Sequence, residues 1–197
     1  MTTASVSKNL HKILGTARDL FWKHGFKRIS IEEICRTSDI SKMTFYRYFP
    51  NKIELAKAVF DREVDEGLEK FRQILHGGGS SSEKIKQILQ MKIAGSNHIS
   101  KEFLQDFYSN RELGLKEHIE EKTRQSWNAI MMDFKAAQDE GWIRKDLKPE
   151  FLFYFSQRMG DLVTDEKLLS LYSTPQEFII ELSNFFAYGI SPRDETK

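Results

Sequence analysis

The segment Ser41-Lys42-Met43-Thr44-Phe45-Tyr46-Arg47-Tyr48-Phe49-Pro50-Asn51-Lys52 gathers cations and hydroxyls around aromatic rings. Lys42, Arg47 and Lys52 are pure hydrogen-bond donors, Thr44, Tyr46 and Tyr48 carry hydroxyls, and Phe45 and Phe49 offer only apolar surface. A dry core would not take the cations, and a solvated loop would not take the phenylalanines. The mixture suits a strip anchored on one side that meets a charged partner on the other.

Other candidate chemistry is thin. His76-Gly77-Gly78-Gly79 resembles an oxyanion-hole sequence, yet the chain has no Gly-x-Ser-x-Gly elbow and no strand pattern ahead of His76. His76 to Glu83 is therefore expected to be a flexible connector. His98 and His118 have no partner at ligand spacing, so no metal and no cofactor is expected. Lacking a nucleophile with its base, a metal cluster or a phosphate loop, the chain is not expected to be an enzyme.

Charge distribution supports a polyanion partner. The 197 residues sum to a formal charge of only +1, but residues 1 to 60 hold 11 Lys or Arg against 5 Asp or Glu, so the remainder is net acidic. The single cysteine, Cys35, excludes an intramolecular disulfide and suits a reducing compartment; as a small buried residue it needs no redox role. No apolar run is long enough to span a bilayer, and the first residues lack a secretory apolar region, so a cytoplasmic protein with no membrane partner is expected.

The elements that must position the segment are helices, because period-2 alternation is absent and spacings of three and four dominate. Leu10, Ile13, Leu14, Ala17, Leu20 and Phe21 form one stripe that should end at Gly25. Ser30-Ile31-Glu32-Glu33 reads as a capping box opening a short helix to about Thr37. After a tight turn at Ser38-Asp39-Ile40, Ser41 is expected to cap a second short helix to about Tyr48. Pro50 stops it, and Asn51 caps a long helix reaching Leu75. Further helices are expected at about 85 to 94, 98 to 109, 115 to 140, 149 to 163 and 175 to 189. On the short helix from Ser41, Phe45 and Phe49 share the anchoring side, leaving Lys42 with Tyr46, Met43 with Arg47 and Thr44 with Tyr48 on the others. This is the pattern of a helix-turn-helix.

Ile13 to Phe60 resembles the DNA-binding domain of the tetracycline-repressor (TetR/AcrR) family of bacterial regulators. The resemblance rests on Ala17, Phe21 to Gly25-Phe26, Ser30, Ile34, Ile40-Ser41-Lys42, Thr44-Phe45-Tyr46, Tyr48-Phe49 and Asn51-Lys52. It implies an all-α protein, with a three-helix helix-turn-helix head over 1–52 and a helical body for dimerisation and ligand binding over 53–197. It implies base-edge contacts from Lys42 and Thr44, with Met43 touching a thymine methyl, and phosphate contacts from Tyr46, Tyr48 and Lys52; Arg47 suits either role, and the caps Ser30 and Ser41 belong to the same surface. Asp39 stands where the family usually has a turn glycine, Met43 where a glycine is common, and Cys35 where a small alanine is usual. Operator sequence therefore does not transfer from relatives.

The body is expected to form a homodimer, because Phe151 to Phe155 is apolar around the whole helix and the last helix is apolar on two sides. Phe151, Phe155, Met159, Phe178, Leu182, Phe185 and Phe186 are the expected interface; the alternative makes both helices central to one chain's own core. The resemblance implies a repressor that leaves a palindromic double-stranded operator when a small-molecule effector binds. Phe103, Phe107, Trp127, Met131 and Phe134 would suit an apolar or aromatic effector, with Arg124 and Asn128 as polar contacts. The rival reading is a DNA-binding regulator whose body binds a protein partner instead.

Overall fold

The computed structural model describes residues 3–109 and 114–192, with side chains from residue 8 onward. Every regular element among the described residues is helical: α1 (Thr3–His24), α2 (Ile31–Ser38), α3 (Lys42–Tyr46), α4 (Lys52–His76), α5 (Ser81–Gly95), α6 (Lys101–Leu104), α7 (Leu115–Asp139), α8 (Pro149–Val163), α9 (Glu166–Leu169) and α10 (Pro175–Ile190). Two compact units emerge. The first holds residues 1–63 and 98–119, the second 64–97 and 120–197, so α4 and α7 contribute to both.

In the first unit, Ile13, Ala17 and Phe21 of α1, Ile34 of α2, Phe45 of α3 and Leu55, Ala56 and Val59 of α4 are completely buried. α1 ends as its glycine requires: Gly25 has φ +80°, and its N–H donates to the Phe21 carbonyl at 2.9 Å. A side chain there would also collide with α6, since a β-carbon would lie 2.8 Å from Glu102 Cβ and 2.9 Å from Asp106 Oδ2. α6 starts with the Ser100 N–H donating to the Trp22 carbonyl at 2.8 Å and widens into a π-turn at Gln105–Ser109. Its rings Phe103 and Phe107, 4.4 Å apart, pack against Trp22 at 4.1 Å and Phe21 at 6.2 Å from their respective centroids.

The second unit is built around Leu75, Ile88, Phe134, Ala137, Trp142, Ile143, Leu147, Leu152 and Ile190, flanked by Phe71, Ile74, Trp127 and Phe186. α5 packs along α10. Lys84 is buried with them because its ammonium donates to the Leu75 carbonyl at the end of α4 and stands 5.1 Å over the Trp142 ring. The expected connector is shorter than His76 to Glu83. Ser80 caps α5 and Glu83 returns the hydrogen bond to the Ser80 N–H at 2.7 Å, so the helix starts four residues ahead of Ile85. α3 stops two residues short of Tyr48, α6 opens three residues after His98, and α9, capped by Asp165, is additional.

Two substitutions test this packing. Phe45→Ala is expected to lower the unfolding free energy by about 3–5 kcal/mol in urea denaturation, as truncation of a sealed aromatic does. Gly25→Ala is expected to cost more than about 1 kcal/mol, because alanine resists positive φ and has no space beside Glu102.

Candidate nucleic-acid interface

Three short connections aim the site. Ser30 Oγ accepts from the Glu33 N–H at 3.1 Å and opens α2. Asp39 ends it in the left-handed conformation at φ 54°, where its small polar side chain substitutes for glycine, and its own N–H donates to the Arg36 carbonyl at 3.3 Å. Ser41 Oγ then accepts from the Thr44 N–H at 3.1 Å and donates to Thr44 Oγ1 at 2.9 Å, opening α3. Ser38 secures the turn from inside, donating its buried hydroxyl to the Ile34 carbonyl at 2.7 Å.

With Phe45 at zero exposure and Phe49 nearly so, α3 turns its remaining residues outward. Met43 is 76% exposed and Tyr46 53%, the latter edge-on to Phe45 with centroids 5.4 Å apart. Lys42 and Arg47 are exposed, and Thr44 and Tyr48 are half-buried. The structure thus brings Lys42, Met43, Thr44, Tyr46 and Arg47 together on one short helix and its end. Ser30 and Ser41 serve as caps, so their hydroxyl oxygens are already engaged with backbone.

The lysines divide. Lys52 donates to the carbonyls of Phe26 at 2.8 Å and Ile29 at 2.7 Å and lies 4.2 Å over the Phe26 ring. Burial pulls its ammonium below the ordinary lysine value, with the Asp106 carboxylate opposing. Its head is tied to the α1–α2 loop, a use that spacing along the sequence does not reveal. Lys42 instead donates to the Glu32 carboxylate, both side chains being more than half exposed. That hydrogen bond holds the Glu32 carboxyl below its usual range and raises the Lys42 ammonium. Cys35 is buried beside them, and desolvation raises its thiol; it fills core space.

Sequence reasoning passed over Asp106. This buried carboxylate on the π-turn accepts from the Lys27 N–H at 2.9 Å and stands 3.9 Å from the Lys27 ammonium, tying the α1–α2 loop to the π-turn after α6. The close fit of Gly25 against it is the one trace in the sequence, visible only once the contact is known. A cleft of about 360 Å³ opens alongside, between His24, Lys27, Arg28, Lys101 and Gln105.

The seven residues considered for an effector fall in different units. Phe103 and Phe107 are sealed in the first unit's aromatic cluster. In the second, Phe134 is buried in the core, Trp127 stands edge-on to Phe153 at 6.5 Å, Met131 is half-buried, Arg124 pairs with Glu121 on the surface, and Asn128 is exposed. Of the seven residues considered for a dimer face, Phe151 and Phe185 are 59% and 73% exposed, while Phe155, Met159, Leu182 and Phe186 are half-buried. Phe178 is turned inward beside Tyr172, their centroids 5.2 Å apart, so it lies off the exposed face. Tyr154 and Tyr188, three residues after Phe151 and Phe185, extend that face and were legible as i, i+3 partners.

Residues 13–59 match the family model "Bacterial regulatory proteins, tetR family". Residues 13–59 therefore carry a tetR-family N-terminal domain. The HTH-type transcriptional regulator UidR of Escherichia coli K12 is 33% identical over 66 residues, 34% of this chain and 34% of UidR. The HTH-type dhaKLM operon transcriptional activator DhaS of Lactococcus lactis is 36% identical over 56 residues, 28% of this chain and 30% of DhaS. The chain thus matches about a third of the length of these curated relatives. The fatty acid degradation regulator FadR from Bacillus halodurans shares the fold across 94% of this chain and 97% of its own, with a TM-score of 0.63 at 18% identity. Sequence likeness to these curated relatives thus spans about a third of the chain, whereas likeness of fold to the Bacillus halodurans regulator spans 94% of it. Among the described residues no helix is long and apolar enough to cross a membrane.

The division of lysines has a measurable consequence. Lys52→Met is expected to lower stability by about 1–2 kcal/mol, since two carbonyls lose a charged donor. Lys42→Ala is expected to change it by less than about 0.5 kcal/mol, as exposed ion pairs do. Urea denaturation of the two variants checks both.

Proposed function

We propose that the protein is a sequence-specific DNA-binding regulator of transcription that acts as a homodimer and represses until a small apolar or aromatic effector releases it. The observation that carries the DNA reading is α3 itself: one side is sealed by Phe45, and the other exposes Lys42, Met43 and Tyr46. A helix held by one ring and bristling with donors is built to enter a major groove. Lys42, Thr44 and Arg47 are assigned to base edges, Met43 to a thymine methyl, and Tyr46 and Tyr48 to phosphates. Lys52 is assigned to the scaffold that presents them.

The exposed aromatics of α8 and α10 support the dimer. Phe151, Tyr154, Phe185 and Tyr188 are each more than half exposed, and the Phe151, Phe155 and Phe186 rings stack in sequence at 6.2 Å steps. Surface of this kind normally marks an interface, and a two-fold pair of heads reads a palindrome. The effector is assigned to the second unit, around Trp127, Met131 and Phe134. DhaS, 36% identical to this chain over 56 residues, is named a transcriptional activator, so activation is the second reading of the sign.

Fluorescence anisotropy on the DNA flanking the protein's own gene, with unrelated competitor, tests the DNA reading. Binding is expected to be about 10³-fold or more tighter than to random DNA and to weaken steeply with salt. Lys42→Ala should abolish the preference, and binding indifferent to sequence would contradict the assignment. The dimer is tested by Phe185→Glu with Tyr188→Glu in analytical ultracentrifugation, where a monomer is expected.

A further inference from the structure

Glu32 occupies the first turn of α2, and its carboxylate accepts a hydrogen bond from Nζ of Lys42 at the start of α3. The side chains are 60% and 53% exposed, so solvent screens the pair and it adds little to folding. Its place on the surface assigned to DNA asks for another explanation. Lys42 is assigned above to a base edge, so its hydrogen bond sets a cationic donor and an anionic acceptor side by side at that assigned contact.

We propose that Glu32 and Lys42 together read one G·C base pair, the lysine taking guanine and the carboxylate taking its cytosine. This rests on the reading of α3 as the helix that enters the major groove. There guanine presents the acceptors N7 and O6, and cytosine presents the donor N4–H₂. O6 and N4 are themselves hydrogen-bonded, at about 2.9 Å. The ammonium and carboxylate are joined in the same way. The two pairs can therefore meet edge to edge, with Lys42 donating to O6 and N4–H₂ donating to Glu32.

The outer positions separate G·C from its nearest mimic. A T·A pair in the same orientation also offers acceptor then donor, but it puts a methyl where Lys42 would find N7 and sets the adenine N7 lone pair against the carboxylate. C·G and A·T reverse the order, facing the ammonium with a donor and the carboxylate with an acceptor. C·G leaves both charges unmatched, and A·T offers the ammonium only N7 while setting O4 and a methyl against the carboxylate, so Glu32 discriminates by repulsion as well as by attraction. A neutral residue at 32 would forgo that rejection.

Selection of binding sites from a randomised duplex library, using the full chain, tests the proposal. Wild type is expected to select a consensus containing one fixed G·C pair in each half-site. Glu32→Gln, whose amide both donates and accepts, should admit other pairs at that position, with discrimination there falling about fivefold or more and the rest of the consensus unchanged. Glu32→Asp, which keeps the charge but shortens the reach, should relax the same position. Glu33→Gln removes an equal charge from the same turn and should keep the wild-type consensus. An unchanged consensus in Glu32→Gln overturns the proposal and leaves the DNA-regulator reading standing. Relaxation spread evenly over every position also overturns it, by making Glu32 a structural residue. A wild type that selects no consensus overturns both readings.

Discussion

The burial of Phe45 is the constraint on which the exposed surface of α3 depends. α3 has five residues, far fewer than an isolated helix needs to persist in water. Complete burial of one phenylalanine supplies roughly 1.5–3 kcal/mol, more than any exposed ion pair nearby can. The direction of Lys42, Met43 and Tyr46 is thus set by apolar packing on the opposite side of their helix. The polar side chains remain at liberty to exchange partners.

The same separation of tasks runs through the cations of the first unit. Lys52 is spent inside, closing the α1–α2 loop by holding the Phe26 and Ile29 carbonyls, and Asp106 holds the loop from the other direction through the Lys27 N–H. Lys42 is paired only at the surface, where its partner is as exposed as it is. Two lysines ten residues apart therefore have unlike duties. Net charge counts them equally, but one is tied to loop carbonyls and the other to an exposed carboxylate.

Much of the head was legible because its signals are local. Gly25, Ser30, Asp39, Ser41 and Asn51 each fix a backbone conformation or satisfy a helix end within three or four residues, and all five act as their types dictate. The same kind of signal was present at Ser80 and Glu83, but the glycines ahead of them drew the reading toward a loop. What stayed hidden depends on contacts distant in sequence. The grip of Lys52 on the loop spans 23 and 26 residues, and that of Asp106 spans 79. In the body, aromatic periodicity located the helices but did not sort buried Phe178 from exposed Phe185, seven residues along the same helix. An all-apolar helix lacks the polar side that would have fixed its rotation.

Entry of α3 into the major groove is the central claim, and methylation interference on a bound DNA fragment tests it most directly. Methyl groups on guanine N7 occupy the major groove, while those on adenine N3 occupy the minor groove. The account predicts that fragments methylated at particular guanines are lost from the bound fraction, in two clusters about one helical turn apart. Equal guanine methylation in bound and free fractions, or interference confined to adenine N3, would contradict it.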